Sequence, residues 1–240
     1  MAKRQVKIRD FRGALPGRVR LSIGSSEEND IALAAFGVAT DTPRRERIGE
    51  AHRTTKETDI SVRVNLDDLT STKISTGIGF FDHMLESFAK HGNFGLVLAC
   101  KGDTHIDAHH SIEDCALALG TAMKQALGDK AGIGRFGADA LSASLPMDET
   151  RVDVVIDLSG RAAFRFEGNF STDHAGDFPA EMCPHFFESL SQTLGAAIHI
   201  TVSGKNTHHM IEACFKGVGR ALAPALKRDG DQIPSTKGIL

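Results

Sequence analysis

Two histidine pairs, each followed by a glutamate at the same distance, are the side chains in this sequence best suited to hold metal ions. On a helix, the first histidine of each pair and its glutamate are four residues apart and lie on one face. The second histidine is rotated by roughly 100° about the axis, since a helix has about 3.6 residues per turn. It therefore serves a different point in space. The six residues are His109, His110 and Glu113 in one copy, and His208, His209 and Glu212 in the other.

A further histidine precedes each pair within a second matched stretch. His83 begins a segment that runs to Phe88, and His185 begins the corresponding segment that runs to Leu190. Eight candidate ligands result, and they divide evenly if the two copies exchange residues. One predicted site takes His109, Glu113, His185 and His209, and the other takes His208, Glu212, His83 and His110.

Each predicted site has three imidazoles, one carboxylate and no thiolate. This set favours Mn, Fe, Zn or Ni over copper(I) or a cysteine-type zinc site. Four protein ligands around an octahedral ion leave positions for substrate or water, which is typical of a catalytic site. A single His-His pair is usually a surface or helix-cap feature, but two pairs in register with matched partners argue against that interpretation. The residues alone leave open whether each site lies within one chain or bridges two subunits.

The segments that carry these residues form a tandem repeat. Residues 57–66 and 149–158 alternate apolar and polar in the period of a half-buried strand. In each copy a helix starting at the single histidine follows, then a second strand, then a long helix starting at the histidine pair. The second strands are Phe94 to Cys100 and Ala197 to Val202. The long helices carry matched apolar residues, namely Ile112, Cys115, Leu119, Met123 and Leu127, and Ile211, Cys214, Val218, Leu222 and Leu226.

Neither copy is large enough to close a comfortable core alone, so the helices are expected to cover one face of each sheet. The sequence thus predicts one α+β domain made of two similar units, at about 50–145 and 146–230. Residues 1–50 differ in character from the rest, with a basic opening and a polar, acidic stretch, and are predicted to be a poorly ordered N-terminal extension. The domain itself is predicted to span 51–240.

Composition excludes several other classes of function. The net charge of −3 gives no general argument for binding nucleic acid or membranes, and a chain without Trp or Tyr offers little base-stacking surface. The longest strictly apolar stretch, about residues 31–39, is far shorter than a membrane span of roughly 20 residues. Four cysteines without C-x-x-C spacing indicate reduced thiols and a cytoplasmic protein.

The chain resembles the imidazoleglycerol-phosphate dehydratase family from about Arg53 to the C-terminus, around three quarters of its length, and seven stretches carry the resemblance. Three of them include predicted ligands, and two of these three are Thr76-Gly-Ile-Gly-Phe-Phe-Asp-His-Met-Leu85 and Asp107-Ala-His-His-Ser-Ile-Glu-Asp114; the third is 205–213. The others are residues 53–58, 146–149, 157–161 and 234–238. The resemblance implies a duplicated α+β unit with the ribosomal protein S5 domain 2-like fold. It also implies two Mn²⁺ ions per active site and a large octahedral homo-oligomer of twenty-four subunits with active sites between them.

The implied reaction is the dehydration of D-erythro-imidazole glycerol phosphate to imidazole acetol phosphate in histidine biosynthesis. The proton to be removed is poorly acidic, so the imidazole ring must act as the electron sink, as a metal-bound imidazolate. The resemblance makes Glu57 the candidate catalytic base. The substrate-binding residues that it implies are Glu57, His83, His91, His109, Arg135, Arg161, His208, Lys216, Ser235, Thr236 and Lys237, the last three in a C-terminal substrate-binding tail.

Two departures from the family pattern bear on the site. Ala108 stands where the family usually has Asp, which removes a carboxylate that could orient a histidine ligand. Gly95 stands where Asp commonly follows Phe94. Two rival hypotheses are a metal-storing shell without catalysis and a di-metal phosphoesterase. The first does not explain the matched cationic residues, and the second usually needs more carboxylate ligands.

Overall fold

The computed structural model describes residues 46–137, 144–230 and 232–238, together with the short segments 9–10, 19–20 and 33. The chain forms two compact units, Met1–Arg45 with Asp229–Gln232, and Glu46–Arg228 with Ile233–Leu240. In the first unit, the two-residue strands Arg9–Asp10 and Val19–Arg20 pair antiparallel. The predicted disorder of residues 1–50 falls almost wholly outside the described residues. The second unit begins at Glu46, ahead of the predicted boundary.

The second unit contains two main sheets, a two-stranded hairpin and four helices among its described residues. The first half comprises β1 (Ile48–Thr54), β2 (Thr58–Asn65), β3 (Lys73–Ser75), α1 (Gly79–Gly92), β4 (Gly95–Gly102) and α2 (His109–Leu127). The second half comprises β5 (Phe136–Gly137), β6 (Ser144–Met147), β7 (Thr150–Asp157), β8 (Ala163–Glu167), β9 (His174–Ala175), β10 (Phe178–Pro179), α3 (Met182–Leu194), β11 (Ala197–Ser203) and α4 (Thr207–Leu226).

The two sheets have the same topology, which confirms the predicted duplicated α+β unit. The first sheet has the order β1-β2-β4-β3, with β3 parallel to β4 and the other neighbours antiparallel. In the second sheet β7 and β11 take the places of β2 and β4, and β8 runs parallel to β11 as β3 does to β4. Both β5 and β6 pair with β7 at the remaining edge. The short hairpin of β9 and β10 is additional to the second half.

The central strands follow the predicted alternation of buried and exposed residues. In β2, Ile60, Val62 and Val64 point into the core, and Val152 and Val154 do so in β7. The apolar residues of the long helices that were predicted to face the core are all buried. Each sheet therefore has one face covered by helices.

The helices of the two halves pack crosswise, α2 against α3 and α1 against α4. A glycine stands at the same repeat position in each long helix, where the partner helix approaches closely. A Cβ at Gly120 would overlap Thr193 and the Leu190 carbonyl oxygen, and one at Gly219 would lie 2.7 Å from the Phe88 carbonyl oxygen. Close approach of the helix backbones therefore brings the N-terminal half of each long helix near a helix of the other repeat.

Three predicted boundaries lie a few residues from those of the structure. Glu57 and Glu149 lie in the turns before β2 and β7, rather than at the strand starts. His83 and His185 lie within the first turns of α1 and α3, since those helices begin at Gly79 and Met182. The second half starts before residue 146, because β5 and β6 already belong to its sheet. Among the described residues, no helix is both long and apolar enough to cross a membrane.

Candidate metal centre

Three of the predicted ligands of the first site meet where α2 crosses α3. The Nε2 atom of His109 lies 3.6 Å from one carboxylate oxygen of Glu113, one helical turn along α2. The other oxygen of Glu113 lies 3.5 Å from Nε2 of His185 on α3. One nitrogen or oxygen atom from each of these three residues can be chosen so that all lie within 4.8 Å of one another. The first cluster (His109, Glu113 and His185) thus joins ligands from both repeats.

The second repeat presents the same arrangement where α4 crosses α1. Nε2 of His208 lies 3.5 Å from one oxygen of Glu212, and Nε2 of His83 lies 3.9 Å from the other. The ring of Phe80 contacts the His208 ring edge-on, with centroids 4.9 Å apart, and limits its orientation. This second cluster (His83, His208 and Glu212) is the counterpart of the first but is more open, since among the described residues only the first has ligand atoms from all three residues within 4.8 Å of one another. Each glutamate therefore stands between a histidine of its own helix and a histidine of the other repeat.

The second histidine of each pair is turned away from these clusters, as the helical rotation predicts. Nδ1 of His110 lies 3.1 Å from Asp103, which follows the end of β4. Nδ1 of His209 lies 2.9 Å from Glu149, in the turn before β7. Neither ring belongs to a metal-binding cluster of the described residues. A single chain therefore brings together three of the four predicted ligands of each site, and it does not bring the fourth.

Hydrogen bonds to carboxylates raise the pKa of both of these rings. The bond to Asp103 raises the pKa of His110 above its ordinary value, with a further contribution from the negative charge of Glu57. The bond to Glu149 likewise raises the pKa of His209. In return, the His209 bond, joined by the backbone N–H groups at Asn206 and Lys205, lowers the pKa of Glu149 to about 2. Each bond occupies Nδ1 and leaves Nε2 of the same ring for another contact, which for His209 is Asp148 Oδ2 at 3.6 Å.

The first cluster fits a divalent cation on the chemistry of its donors. Nε2 of His185 is buried, and the described residues give it no hydrogen-bond partner. A buried polar atom without a partner is unfavourable unless something else satisfies it. Two imidazole nitrogens and a carboxylate suit Mn²⁺, Fe²⁺ or Zn²⁺. A metal ion at this position would satisfy the His185 nitrogen and neutralise Glu113.

The predicted base, Glu57, lies in a well-braced turn between β1 and β2. Its backbone carbonyl accepts a hydrogen bond from Asp103 N at 3.1 Å. The turn is tied to α2 through Asp114, which accepts hydrogen bonds from Thr58 Oγ1 at 2.6 Å and Arg53 Nε at 2.7 Å. Within the described part of the chain, the exposed carboxylate of Glu57 has no hydrogen bond or ion pair.

Arg135 is held by protein groups rather than left free for an anion. Its Nε and Nη2 atoms donate to both oxygens of Asp157, at 2.7 and 3.1 Å, and Nη1 donates to the Pro234 carbonyl oxygen at 2.8 Å. The backbone of Arg135 is left-handed, with φ of 65°, a conformation that costs free energy in a non-glycine residue. This arginine therefore anchors the segment that precedes Ser235, and only its remaining N–H groups can meet a phosphate.

The other predicted substrate residues lie at the surface or near the second cluster. The side chain of Arg161 is exposed after the turn at Gly160. Thr236 and Lys237 are exposed, and Ser235 Oγ accepts a hydrogen bond from Lys237 N at 3.2 Å. His91 lies close enough to Lys216 for its charge to matter. Burial first, and then Lys216 and Arg220, lower the pKa of His91.

A cavity of about 700 Å³ lies beside the first cluster. His109 and Asp107 line one side, and β8 with the segment that follows it lines the other with Phe166, Phe170 and His174. Its size suits a small molecule or a segment of another chain. The second half therefore gives the first cluster a wall that the repeat pattern does not predict.

Three carboxylates that position ligands or the proposed base were not identified from the sequence. Asp103 holds His110, and Asp114 braces the turn of Glu57. Asp177, in the β9–β10 hairpin, accepts the N–H groups of Gly79 and Phe80 and so caps the helix that carries His83. The Gly-Asp that ends β4 was the available signal for Asp103. Asp107 accepts the N–H of His109. The side chain of Ala108 packs against the core.

Comparisons with known proteins agree with this architecture. The sequence matches the family model of imidazoleglycerol-phosphate dehydratase over residues 76–222. The histidine biosynthesis bifunctional protein HisB of Actinobacillus pleuropneumoniae is 52% identical over 201 residues, which are 84% of this chain and 54% of that protein. HisB of Stenotrophomonas maltophilia is 50% identical over 204 residues, 85% of this chain and 56% of that protein. The chain thus spans about half the length of these relatives.

Two solved structures share the fold over nearly their whole length. The crystal structure of imidazoleglycerol-phosphate dehydratase from Staphylococcus aureus has a TM-score of 0.67 at 34% identity, and the match covers 75% of this chain and 99% of that one. The enzyme from Pyrococcus furiosus gives 0.67 at 36% identity, with 79% and 99% covered. On the extent of these matches, the chain belongs to the imidazoleglycerol-phosphate dehydratase family of lyases.

Proposed function

We propose that this chain catalyses the dehydration of D-erythro-imidazole glycerol phosphate to imidazole acetol phosphate, in histidine biosynthesis, with two divalent metal ions per active site. The observation that carries the proposal is the pair of matched clusters, each with a glutamate between histidines of both repeats. Neither a lone surface His-His pair nor a helix cap would produce such an arrangement twice. The family membership supports the reaction, and we propose Mn²⁺ as the metal.

The eight predicted ligands would hold the two ions in the three-residue clusters described above. A third histidine, the second member of a His-His pair, would complete each cluster. His209 would complete the cluster of His109, Glu113 and His185, and His110 would complete the other. Because both rings are turned away from the clusters of their own chain, we propose that they come from neighbouring copies. This supports a symmetric homo-oligomer, with the family's twenty-four-subunit shell as the expected assembly.

When bound, the two cations would supply Lewis-acid polarisation of the substrate's azole ring and help to orient it. The remaining steps fall to protein side chains. Glu57 would accept the poorly acidic proton that must leave the substrate carbon. Its carboxylate is exposed and has no partner among the described residues. It also lies close enough to His110 for its charge to act on that ring. The turn braced by Asp114 would hold Glu57 in place during this transfer.

The phosphate end of the substrate needs cations and short donors. Arg161, Lys237 and Thr236 supply them at exposed positions, and Ser235 at a half-buried one. Arg135 would act mainly by fixing the tail through Pro234, with its free N–H groups contributing to phosphate binding. His91 and Lys216, which lie beside the second cluster, complete the proposed contacts with the substrate.

All four cysteines are free thiols buried in the fold. Burial raises the pKa of the Cys183 thiol, which keeps it uncharged and unreactive. This state supports the proposal that the protein works in the reducing cytoplasm.

The test is a reaction with the metal-loaded full chain and imidazole glycerol phosphate, followed by mass spectrometry for the dehydrated product and by an assay for free phosphate. Dehydrated product without phosphate release supports the proposal. Free phosphate would indicate a phosphoesterase instead, and bound metal with neither product would indicate a storage or scaffolding shell. The Glu113→Gln variant is the control, because it should lose product together with metal from one cluster.

A further inference from the structure

The two metal clusters differ in one charged neighbour. Four residues after Glu212, on the same face of α4, Lys216 places Nζ 2.7 Å from Glu212 Oε1. Four residues after Glu113, on the same face of α2, stands Leu117. Among the described residues, Glu113 has no lysine or arginine within ion-pair distance. The carboxylate of one cluster is thus already paired with a cation, and the carboxylate of the other is not.

The surroundings of the two glutamates strengthen this difference. The side chain of Glu212 is 10% exposed, and that of Glu113 is 37% exposed. A buried carboxylate without a counter-charge is strongly unfavourable, so Lys216 stabilises Glu212 in the metal-free protein. The same oxygen that contacts Lys216 also faces His83 Nε2 at 3.9 Å. A metal ion held by His83 and Glu212 must therefore compete with the lysine for one carboxylate oxygen.

We propose that Lys216 makes the two metal sites unequal, so that the site of His109, Glu113 and His185 fills before the site of His83, His208 and Glu212. The ammonium group repels a divalent ion and occupies part of its ligand. Even at the dielectric constant of water, a unit charge and a divalent charge a few ångströms apart should separate the two affinities by roughly tenfold. This inference rests on the proposed function only in taking both clusters as metal sites.

The test is an Mn²⁺ titration of the metal-stripped full chain, with free Mn²⁺ read from its electron paramagnetic resonance signal. We expect two classes of site, one of each per chain. His185→Ala should remove the tighter class, and His83→Ala should remove the weaker one. A single class of two equal sites per chain would overturn the inference. So would loss of the weaker class in His185→Ala and of the tighter class in His83→Ala.

Matched variants separate charge from structure. Lys216→Gln should tighten the weaker class by roughly tenfold, since the repulsion is gone, and Lys216→Arg should leave the two classes apart. If the lysine were only a structural partner of Glu212, Lys216→Gln would leave the weaker class unchanged or loosen it, which contradicts the inference. Leu117→Lys on the partly exposed face of α2 is an independent check, because it should weaken the tighter class.

The outcomes also separate this inference from the proposed reaction. Ordered loading in a protein that forms no dehydrated product would uphold the role of Lys216 and refute the proposed reaction. Dehydration with two equal sites would do the reverse. Absence of Mn²⁺ binding in the unsubstituted chain would overturn both.

Discussion

The two repeats use different carboxylates for the same task. In the first, Asp103 after β4 binds Nδ1 of His110, and Glu57 is left free. In the second, Lys205 stands at the position that corresponds to Asp103, because it follows Gly204 as Asp103 follows Gly102. A lysine cannot accept a hydrogen bond from an imidazole. Glu149, the counterpart of Glu57, binds His209 instead. The difference teaches that a second carboxylate beside His110 leaves Glu57 without a side-chain partner among the described residues, as the proposed base requires.

Substitution of the two glutamates tests this division of labour most strongly. Glu57→Gln should lower kcat by about 10²–10⁴, since removal of a general base typically costs that much, and should leave the metal content unchanged. Glu149→Gln keeps the proposed base and should lose activity only in proportion to lost metal. Steady-state kinetics with metal analysis of the same samples measures both. Equal loss of kcat in two fully metal-loaded variants would remove the distinction between the repeats.

Removal of the carboxylates that hold the second histidines should weaken metal binding. Asp103→Ala should lower metal affinity about 10–100-fold, because the ring of His110 loses the bond that fixes its orientation. Glu149→Ala should lower affinity similarly and should also reduce the stability of the metal-free fold, since Glu149 accepts the N–H groups of Lys205 and Asn206 as well.

Competition with a chelator gives the affinities, and denaturant unfolding gives the stabilities. Asp103→Asn retains an acceptor and should bind metal better than Asp103→Ala. Unchanged metal affinity in both alanine variants would show that these hydrogen bonds do not orient ligands.

The crosswise helix packing depends on the two repeated glycines. Gly120→Ala and Gly219→Ala should each destabilise the fold by about 1–3 kcal/mol, because a Cβ meets backbone atoms of the partner helix that cannot move aside. At Gly217 a Cβ would meet only the side chains of Val152 and Val154, so Gly217→Ala is the control with the smaller loss. Denaturant unfolding of the metal-free variants measures the difference. Equal stability of all three would contradict close helix contact at the repeated glycines.

The smallest expected effect is on the pH dependence of the Glu149–His209 pair. The folded pKa of Glu149, about 2, lies below its usual 4.5, so its contribution is complete above pH 4.5 and is lost as pH falls towards 2. The folded pKa of His209 is raised, so its contribution is complete below 6.5 and is lost as pH rises through the folded value. The stability difference between the unsubstituted metal-free chain and Glu149→Gln should therefore be greatest between these limits. A difference independent of pH would exclude the ion pair.

Much of the fold could be predicted from the sequence, because its determinants are periodic and repeated. Alternation in residues 57–66 and 149–158 gave the central strands, and the apolar stripe of each long helix gave its buried face. The meeting of His185 with Glu113 could be predicted from counting matched ligands, since two copies with exchanged partners are symmetric. The rotation of His110 and His209 away from the clusters follows from helix geometry alone.

The remaining features depend on side chains that meet only in three dimensions. Asp157 binds Arg135 and so leaves only part of its guanidinium for a phosphate, and no local pattern signals this pair. Asp177 caps α1 from a hairpin that has no counterpart in the first repeat. Asp103 reaches the His110 ring from the end of β4, a contact that the sequence pattern around Ala108 does not signal.

Anomalous diffraction from Mn²⁺-loaded crystals, at the manganese absorption edge, tests the central claim most directly. We predict two peaks per chain, one within coordination distance of His109, Glu113 and His185, and the other within coordination distance of His83, His208 and Glu212. A third histidine, from a neighbouring chain, should complete each site. Absence of manganese from both positions, or peaks held by other side chains, would contradict the account.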